Sequence, residues 1–446
     1  MLTSSAVVVI IKREKRTINA FRRRALEEKR VCSNGINVYG YKNEALHGFF
    51  ISLFVRSGSM YEHEGEEGIT HFLEHVLVRN VNKLMQMKLY GELDRYGMDF
   101  NASTYSEMVQ FYVSGASHSF RRGVDIAEKL LMPIALSPAE IDAERKRIKA
   151  EIRESDEKTS LSAFTAETVF SGTSLACSIL GTNTSVDRIT LKRLEEYRKR
   201  VFTAQNVFFY VTGNYTDEDI DYLLKTVGDI QTGEGEIHDN IAPVPKDFCH
   251  RDPTIKLKNA DYTVVRFTFD ILMEKVSSPA LDILYDQLFA GYASPFFLQM
   301  SEERGLFYDI SGTTDRYRNI GTLHFTYELK EKNLYDAIDL SVKILSDFKT
   351  RLISEEECMK AGYVDNAYML YDDSREFNFT FAYDNHIMKL GYPTVEARRE
   401  AYRSVTPEQI RRTACEIFRP ENLTLTLKGS RKKINIEKIR EILKEL

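Results

Sequence analysis

At 446 residues the chain is too long for one compact core, so two or more domains are expected. Its 43% hydrophobic and 28% charged residues, with a formal net charge of -5, describe a soluble globular protein and leave no basic excess for nucleic acid. No apolar run approaches the ~20 residues that span a bilayer, and five scattered cysteines without C-x-x-C spacing read as reduced thiols of a cytoplasmic setting, with an organelle matrix as the alternative.

Residues 1–29 form an N-terminal extension. The apolar stretch at 6–11 is too short for a secretory signal, and no positive segment precedes it. Residues 12–30 are rich in Lys and Arg, yet they include Glu14, Glu27 and Glu28, which transit peptides avoid. A first domain is expected over 30–227. It opens with short extended segments around an Asn34-Gly35 turn and an apolar strand at 48–57, GFFISLFVRS. A helix near 81–96, a strand at 108–114 and a long helical block at 120–155 follow, and a buried strand at 207–213, VFFYVTG, marks its end.

Gly, Pro, Asp and Asn then cluster at 228–253, the mark of a linker. The same order recurs in a second domain, 254–446, with a strand at 263–270, a helix near 279–290, strands at 308–314 and 322–329, and a helix at 334–352. In both halves the run ends in a Ser-x-x-Glu helix start, at Ser137 and at Ser354. This is an internal duplication with a period of about 200 residues. The fold class is therefore α+β, two homologous mixed domains in which an antiparallel sheet is flanked by helices. Such a pair suits a clamshell around a peptide-sized chamber, with the linker as hinge.

Only the first half carries His71-Phe72-Leu73-Glu74-His75. On a helix, two histidines four residues apart project from one face and can reach a single tetrahedral Zn²⁺. Glu74 lies on the same side, placed to take a proton from a water that the metal polarises. The same pattern also suits a solvated polar face, and a short motif arises by chance. Two histidines leave a catalytic zinc one protein ligand short. The helix that starts at Ser137-Pro138-Ala139-Glu140 offers Glu144 and Glu151, two turns apart on one face. One can complete a His, His, Glu site and the other can hold a ligand imidazole, although charged helices carry many glutamates at this spacing.

GSMYEHEGEEGITHFLEH (58–75), GMDFNASTYSEMVQFYV (97–113) and ERKRIKAEI (144–152) together resemble the pitrilysin/insulinase-like family of metallopeptidases, most closely its short bacterial and mitochondrial-processing branch. The resemblance implies one zinc per chain held by His71, His75 and Glu151, with Glu74 as general base and Glu144 behind a ligand histidine. It also implies that a peptide adds as a strand along Asn101, Ala102 and Ser103, residues that by themselves read as a turn into a strand. Tyr308 matches the tyrosine of an Arg-x6-Tyr pair that holds substrate carbonyls or the oxyanion, but the arginine position is Ser301. A neutral donor stabilises an oxyanion less than a charged one. Arg304, or a second subunit, is then needed to supply the cation. The segment 76–80, Val-Leu-Val-Arg-Asn, also departs from the family, whose members tend to have an aromatic and a glycine there. The expected function is a zinc-dependent endopeptidase for small or unfolded peptides, acting as a homodimer or with a related subunit, without nucleic acid or membrane. The alternative is a non-catalytic or partner-dependent subunit of a heteromeric peptidase complex.

Overall fold

The computed structural model describes residues 26–155, 160–358, 362, 364 and 373–446, so residues 1–25 of the expected extension lie outside the described residues. Two mixed sheets organise the chain. The first contains β1 (Glu28–Val31), β2 (Asn37–Lys42), β3 (Gly48–Val55), β4 (Asp99–Thr104), β5 (Val109–Ala116) and β6 (Val207–Gly213), in the order β1-β2-β6-β3-β5-β4. The second contains β7 (Thr254–Asn259), β8 (Thr263–Leu272), β9 (Phe307–Arg316), β10 (Ile320–Leu329) and β11 (Leu423–Gly429), in the order β7-β11-β8-β10-β9. Apart from β1, the two orders coincide when strands are matched along the chain. In each sheet one pair is parallel, β2 with β6 and β7 with β11, and the others are antiparallel. The duplication is thus one of topology.

Four helices shape the candidate site and the junction between the halves: α1 (Ile69–Leu84), α2 (Pro138–Glu154), α3 (Leu161–Val169) and α4 (Ser374–Ala382). Alternation along β3 explains how the first sheet is covered. Phe49, Ile51, Leu53 and Val55 join a core shared with Phe72, Leu73, Val76 and Leu77 of α1. Phe54 faces the other way, into an aromatic cluster with Tyr39, Tyr41, Phe208 and Tyr210. That cluster is completed from the second half, by Phe377 and Phe381 of α4. At its centre Asn378 is fully buried. Its amide donates to the carbonyls of Tyr210 at 2.9 Å and Phe50 at 3.3 Å and accepts from the Ser52 hydroxyl at 2.6 Å. The exchange is reciprocal, because α3 of the first half packs on β11 of the second sheet, where the Thr165 and Thr426 hydroxyls are 2.6 Å apart.

The segment expected as a hinge is tied to both halves. The His238 ring stacks on Tyr61 at 3.8 Å, and Nδ1 lies 2.7 Å from the Arg56 carbonyl. Two residues on, the Asn240 N–H donates to the Tyr61 hydroxyl at 2.8 Å while its carbonyl accepts from the Arg318 N–H at 2.9 Å. The end of the expected extension is fastened as well. Leu26 bridges Thr394, and the Glu27 carboxylate accepts from the Tyr210 hydroxyl at 2.8 Å and from Asn385 at 3.2 Å.

Two local features differ from the sequence expectation. The helical block at 120–155 is divided, with helix Phe120–Ala127 and a single tight turn preceding α2. Pro133 cannot donate within a helix, and the Ser137/Glu140 capping box with Pro138 starts a new one. Residues 99–104 form the edge strand β4, whose polar, half-exposed composition carries little hydrophobic pattern.

Asn378→Leu keeps the volume of α4 but leaves the Ser52 hydroxyl and the two carbonyls without the amide. It is expected to lower the unfolding free energy by about 2–4 kcal/mol in urea titrations. An unchanged midpoint would mean that the aromatic packing alone holds α4 to the first sheet.

Candidate metal centre

The start of α1 is fixed before any ligand is placed. Gly68 takes a left-handed conformation (φ 86°) at its N-cap, and a Cβ there would meet the Leu180 carbonyl at 2.7 Å, so the position requires glycine. The Glu62 carboxylate accepts from the backbone N–H groups of Gly68 and Thr70, both at 2.9 Å, and so serves the unbonded donors of the first turn. Thr70 and Tyr197 hydroxyls, 2.6 Å apart, fasten the same turn from the opposite side. With Ile69, Phe72, Leu73, Val76 and Leu77 buried against the sheet, the 3.6-residue period turns His71, Glu74 and His75 toward α2.

From α2, Glu151 faces both histidines. Its Oε2 stands 3.7 Å from His71 Nε2 and 3.5 Å from His75 Nε2, and the ligand atoms of the three residues all lie within 4.8 Å of one another. Donors at about 2.0–2.2 Å from a tetrahedral zinc are separated by about 3.3–3.6 Å. The Glu151–His75 separation falls in that span and the Glu151–His71 separation just beyond it, and the donor set, two imidazoles and a carboxylate, suits that ion. Two turns earlier Glu144 is almost fully buried. Its Oε2 lies 3.7 Å from His75 Nδ1, an ion-pair rather than a hydrogen-bond distance, and its Oε1 lies 2.5 Å from Arg79 Nη1 and 3.4 Å from Arg147 Nη1. Of the two glutamates open to the role, Glu151 thus faces both histidines and Glu144 sits behind His75.

The electrostatics come from burial and neighbours. Burial, and then His75, push the His71 imidazole down to about 3, which keeps it in the neutral form that ligates. Its Nδ1 is buried with no hydrogen-bond partner among the described residues. For His75 burial works downward, but Glu144, Glu74 and Glu151 outweigh it and raise the imidazole above its ordinary value. Burial raises the Glu74 carboxyl, opposed by His75 and by the Thr104 hydroxyl, which donates to Glu74 Oε2 at 2.9 Å. Burial also works upward on Glu144, and there His75, Arg79 and Arg147 outweigh it and hold the carboxyl below its ordinary value. Nothing in local sequence distinguishes Thr104 or Arg79, because each meets its partner only through tertiary packing.

Asn101, Ala102 and Ser103 lie in β4, which pairs with β5 on one side and forms the edge of the first sheet on the other. The same strand supplies Thr104, so the free edge and the carboxylate of Glu74 are mechanically joined. Tyr308 has its backbone in β9, the edge of the second sheet, where the register slips between the Phe307/Leu329 and Ile310/Tyr327 pairs. Its side chain lies outside the described part of the structure. Ser301 falls in a π-helical stretch, Phe296–Glu302, and Arg304 is exposed in the turn after it. In the segment 76–80, Val76, Leu77 and Asn80 are buried, and Arg79 is engaged with Glu144.

Residues 42–183 match the family model described as insulinase (peptidase family M16), and residues 188–361 match the one described as peptidase M16 inactive domain. The chain is 28% identical over 206 residues to the mitochondrial-processing peptidase subunit beta of Blastocladiella emersonii, an alignment covering 46% of this chain and 44% of that one. It is 24% identical over 339 residues to an uncharacterized zinc protease of Rickettsia bellii, covering 74% and 79% respectively. The chain therefore spans less than half of the fungal subunit's length. In fold it is similar to the crystal structure of a protease from Helicobacter pylori, with a TM-score of 0.79 at 15% identity, covering 91% of this chain and 99% of that one.

Burial pushes the Glu62 carboxyl up from its ordinary 4.5 to about 8, against the two N–H donors. Folding then takes up a proton between those values. The stabilisation from this group is full below pH 4.5 and is lost as pH rises through about 8. Glu62→Gln cannot ionise, so urea unfolding at about pH 5 and about pH 9 is expected to show a smaller loss of stability in the variant than in the wild type. Equal losses in the two proteins would exclude Glu62 as the titrating group.

Proposed function

This chain belongs to the insulinase family of peptidases, M16, and from that premise we propose that it is a zinc-dependent endopeptidase acting on small or unfolded peptides. The observation that carries this reading is the convergence of His71, His75 and Glu151, whose ligand atoms all lie within 4.8 Å of one another, beside the carboxylate of Glu74. No helix among the described residues is long and apolar enough to cross a membrane. The cytoplasmic setting expected from the cysteines, or an organelle matrix in its place, belongs to the same proposal.

When bound, the ion supplies Lewis-acid polarisation of the scissile carbonyl and of the attacking water. The remaining work falls to this chain's own residues. Glu74 accepts the proton of that water and later delivers it to the leaving amine. Its raised affinity for a proton, a consequence of burial, suits both transfers. The Thr104 hydroxyl holds one carboxylate oxygen in place and leaves the other for the proton. A peptide pairs through its backbone with Asn101, Ala102 and Ser103 along the open edge of β4, so binding tolerates varied sequence. Tyr308 holds a substrate carbonyl or the oxyanion.

A second reading rests on one observation, the serine at position 301 in place of a cation. A partner subunit that supplies the missing donor would make this chain one half of a heteromeric peptidase. That a relative is a subunit, beta, of mitochondrial-processing peptidase is compatible with such an arrangement.

Purified protein is expected to contain one zinc per chain and to cleave a quenched peptide library in a chelator-sensitive way. Glu74→Gln should retain the metal and lose turnover by about 10²–10⁴-fold, the range for removing a general base. His71→Ala should lose both metal and turnover. Wild-type cleavage by the Glu74→Gln protein would exclude Glu74 as base. Zinc without cleavage, restored on adding a related subunit, would select the second reading.

A further inference from the structure

Arg79 lies in the segment 76–80 that follows the histidine motif, and its surroundings assign it a task other than meeting substrate. It lies one turn beyond His75 on α1, on the side facing α2. Its guanidinium does not extend into an open cleft but closes on Glu144 Oε1 at 2.5 Å. The Glu144 side chain is only 2% exposed, so solvent does not compete for this oxygen. The second cation on the same oxygen, Arg147, is 3.4 Å away with a side chain 66% exposed, and so contributes a weaker, screened interaction. With Oε1 held by Arg79, Oε2 is the atom turned toward His75 Nδ1, at 3.7 Å. His75 Nε2 is thereby aimed at Glu151 and His71.

We infer that Arg79 is a positioning residue of the metal centre: it fixes the rotamer of Glu144, which stands behind His75 and orients it as a ligand, and so sets how tightly the ion is retained. The reasoning has three links. Without its cation, a buried carboxylate turns toward another donor. That turn takes Oε2 away from the Nδ1 side of His75 and leaves the ring free to rotate away from Glu151 and His71. Loss of such a partner behind a ligand histidine typically weakens metal binding by about 10–100-fold. Arg147 does not replace Arg79, because its contact is longer and exposed. The inference rests on the reading of His71, His75 and Glu151 as a zinc site, and it extends that reading to a residue no motif of the chain identifies.

The experiment is zinc affinity of the full chain, measured by competition with a chelating indicator, together with thermal unfolding of the metal-free proteins. Arg79→Met, which keeps the apolar stem and removes the cation, is expected to weaken zinc binding about tenfold or more. Arg79→Lys should restore most of the affinity, and Arg147→Met should change it by less than about twofold. Glu144→Gln should reproduce the loss seen with Arg79→Met. The double variant should be no weaker than either single one, because both changes break the same connection. Equal zinc affinity in wild type and Arg79→Met overturns the inference. If Arg79→Met does not fold, wild-type affinity in Glu144→Gln overturns it equally. A wild-type protein that binds no zinc at all overturns the metal site and this inference with it, an outcome distinct from equal affinities.

Discussion

The two halves of this protein are joined by helices that pack across the boundary in both directions. α4 of the second half lies on β3 and β6, and α3 of the first half lies on β11. The exchanged surfaces are not interchangeable apolar patches. On the first sheet, Asn378 reaches through an aromatic cluster to satisfy backbone carbonyls and the Ser52 hydroxyl. A buried amide with all its partners specifies one seating, since any displacement leaves several polar groups unsatisfied at once. The linker at 237–242 and the fastened end of the extension at Leu26 and Glu27 reinforce the same seating. The position of the second half over the first is therefore built into the fold.

Within that frame the metal centre is a set of charges removed from water, and the two histidines are managed in opposite ways. His71 is kept neutral by burial, the least costly state for an imidazole with no hydrogen-bond partner at Nδ1 among the described residues. His75 faces carboxylates that raise its proton affinity, and the nearest of these, Glu144, is in turn held by arginine. His71, His75 and Glu151 would hold a cation here, and its charge would offset that of the carboxylates gathered around the two imidazoles. The second half illustrates the alternative. There the helix Ser278–Phe289 comes after β8 as α1 comes after β3. It carries Asp282, which is bonded to Arg316 and accepts from the Tyr402 hydroxyl at 2.6 Å. An arginine of the chain supplies the positive charge there, whereas the first half sets out a His, His, Glu group that could hold a metal ion.

Catalytic parts and substrate edge are joined by short covalent paths. Thr104 ends β4 and bonds Glu74, while Asn101 to Ser103 form the free edge of the same strand. On the proposed reading, a peptide that pairs with the edge would bear on the strand that also holds Glu74 through Thr104. Tyr308 has its backbone in a separate sheet edge, β9 of the second half.

Much of this was legible in the chain itself. The 3.6-residue period of α1 determines that His71, Glu74 and His75 share a face, and the Ser137/Glu140 capping box determines where α2 starts and hence that Glu144 and Glu151 share another. Recurrence of strand and helix patterns determines the duplicated α+β plan. These are local properties, set by backbone geometry and by which residues alternate or repeat within one element. Residue spacing did not choose between the two glutamates, and the family resemblance assigned Glu151 to the histidines; the chain by itself left open that a polar stretch at 99–104 is a strand, that Thr104 holds Glu74, that Arg79 holds Glu144, and that each half lends the other a helix. Tertiary structure alone decided them, because they depend on which faces of distant elements meet, and that is set by burial of large apolar surfaces and satisfaction of buried polar groups over the whole molecule.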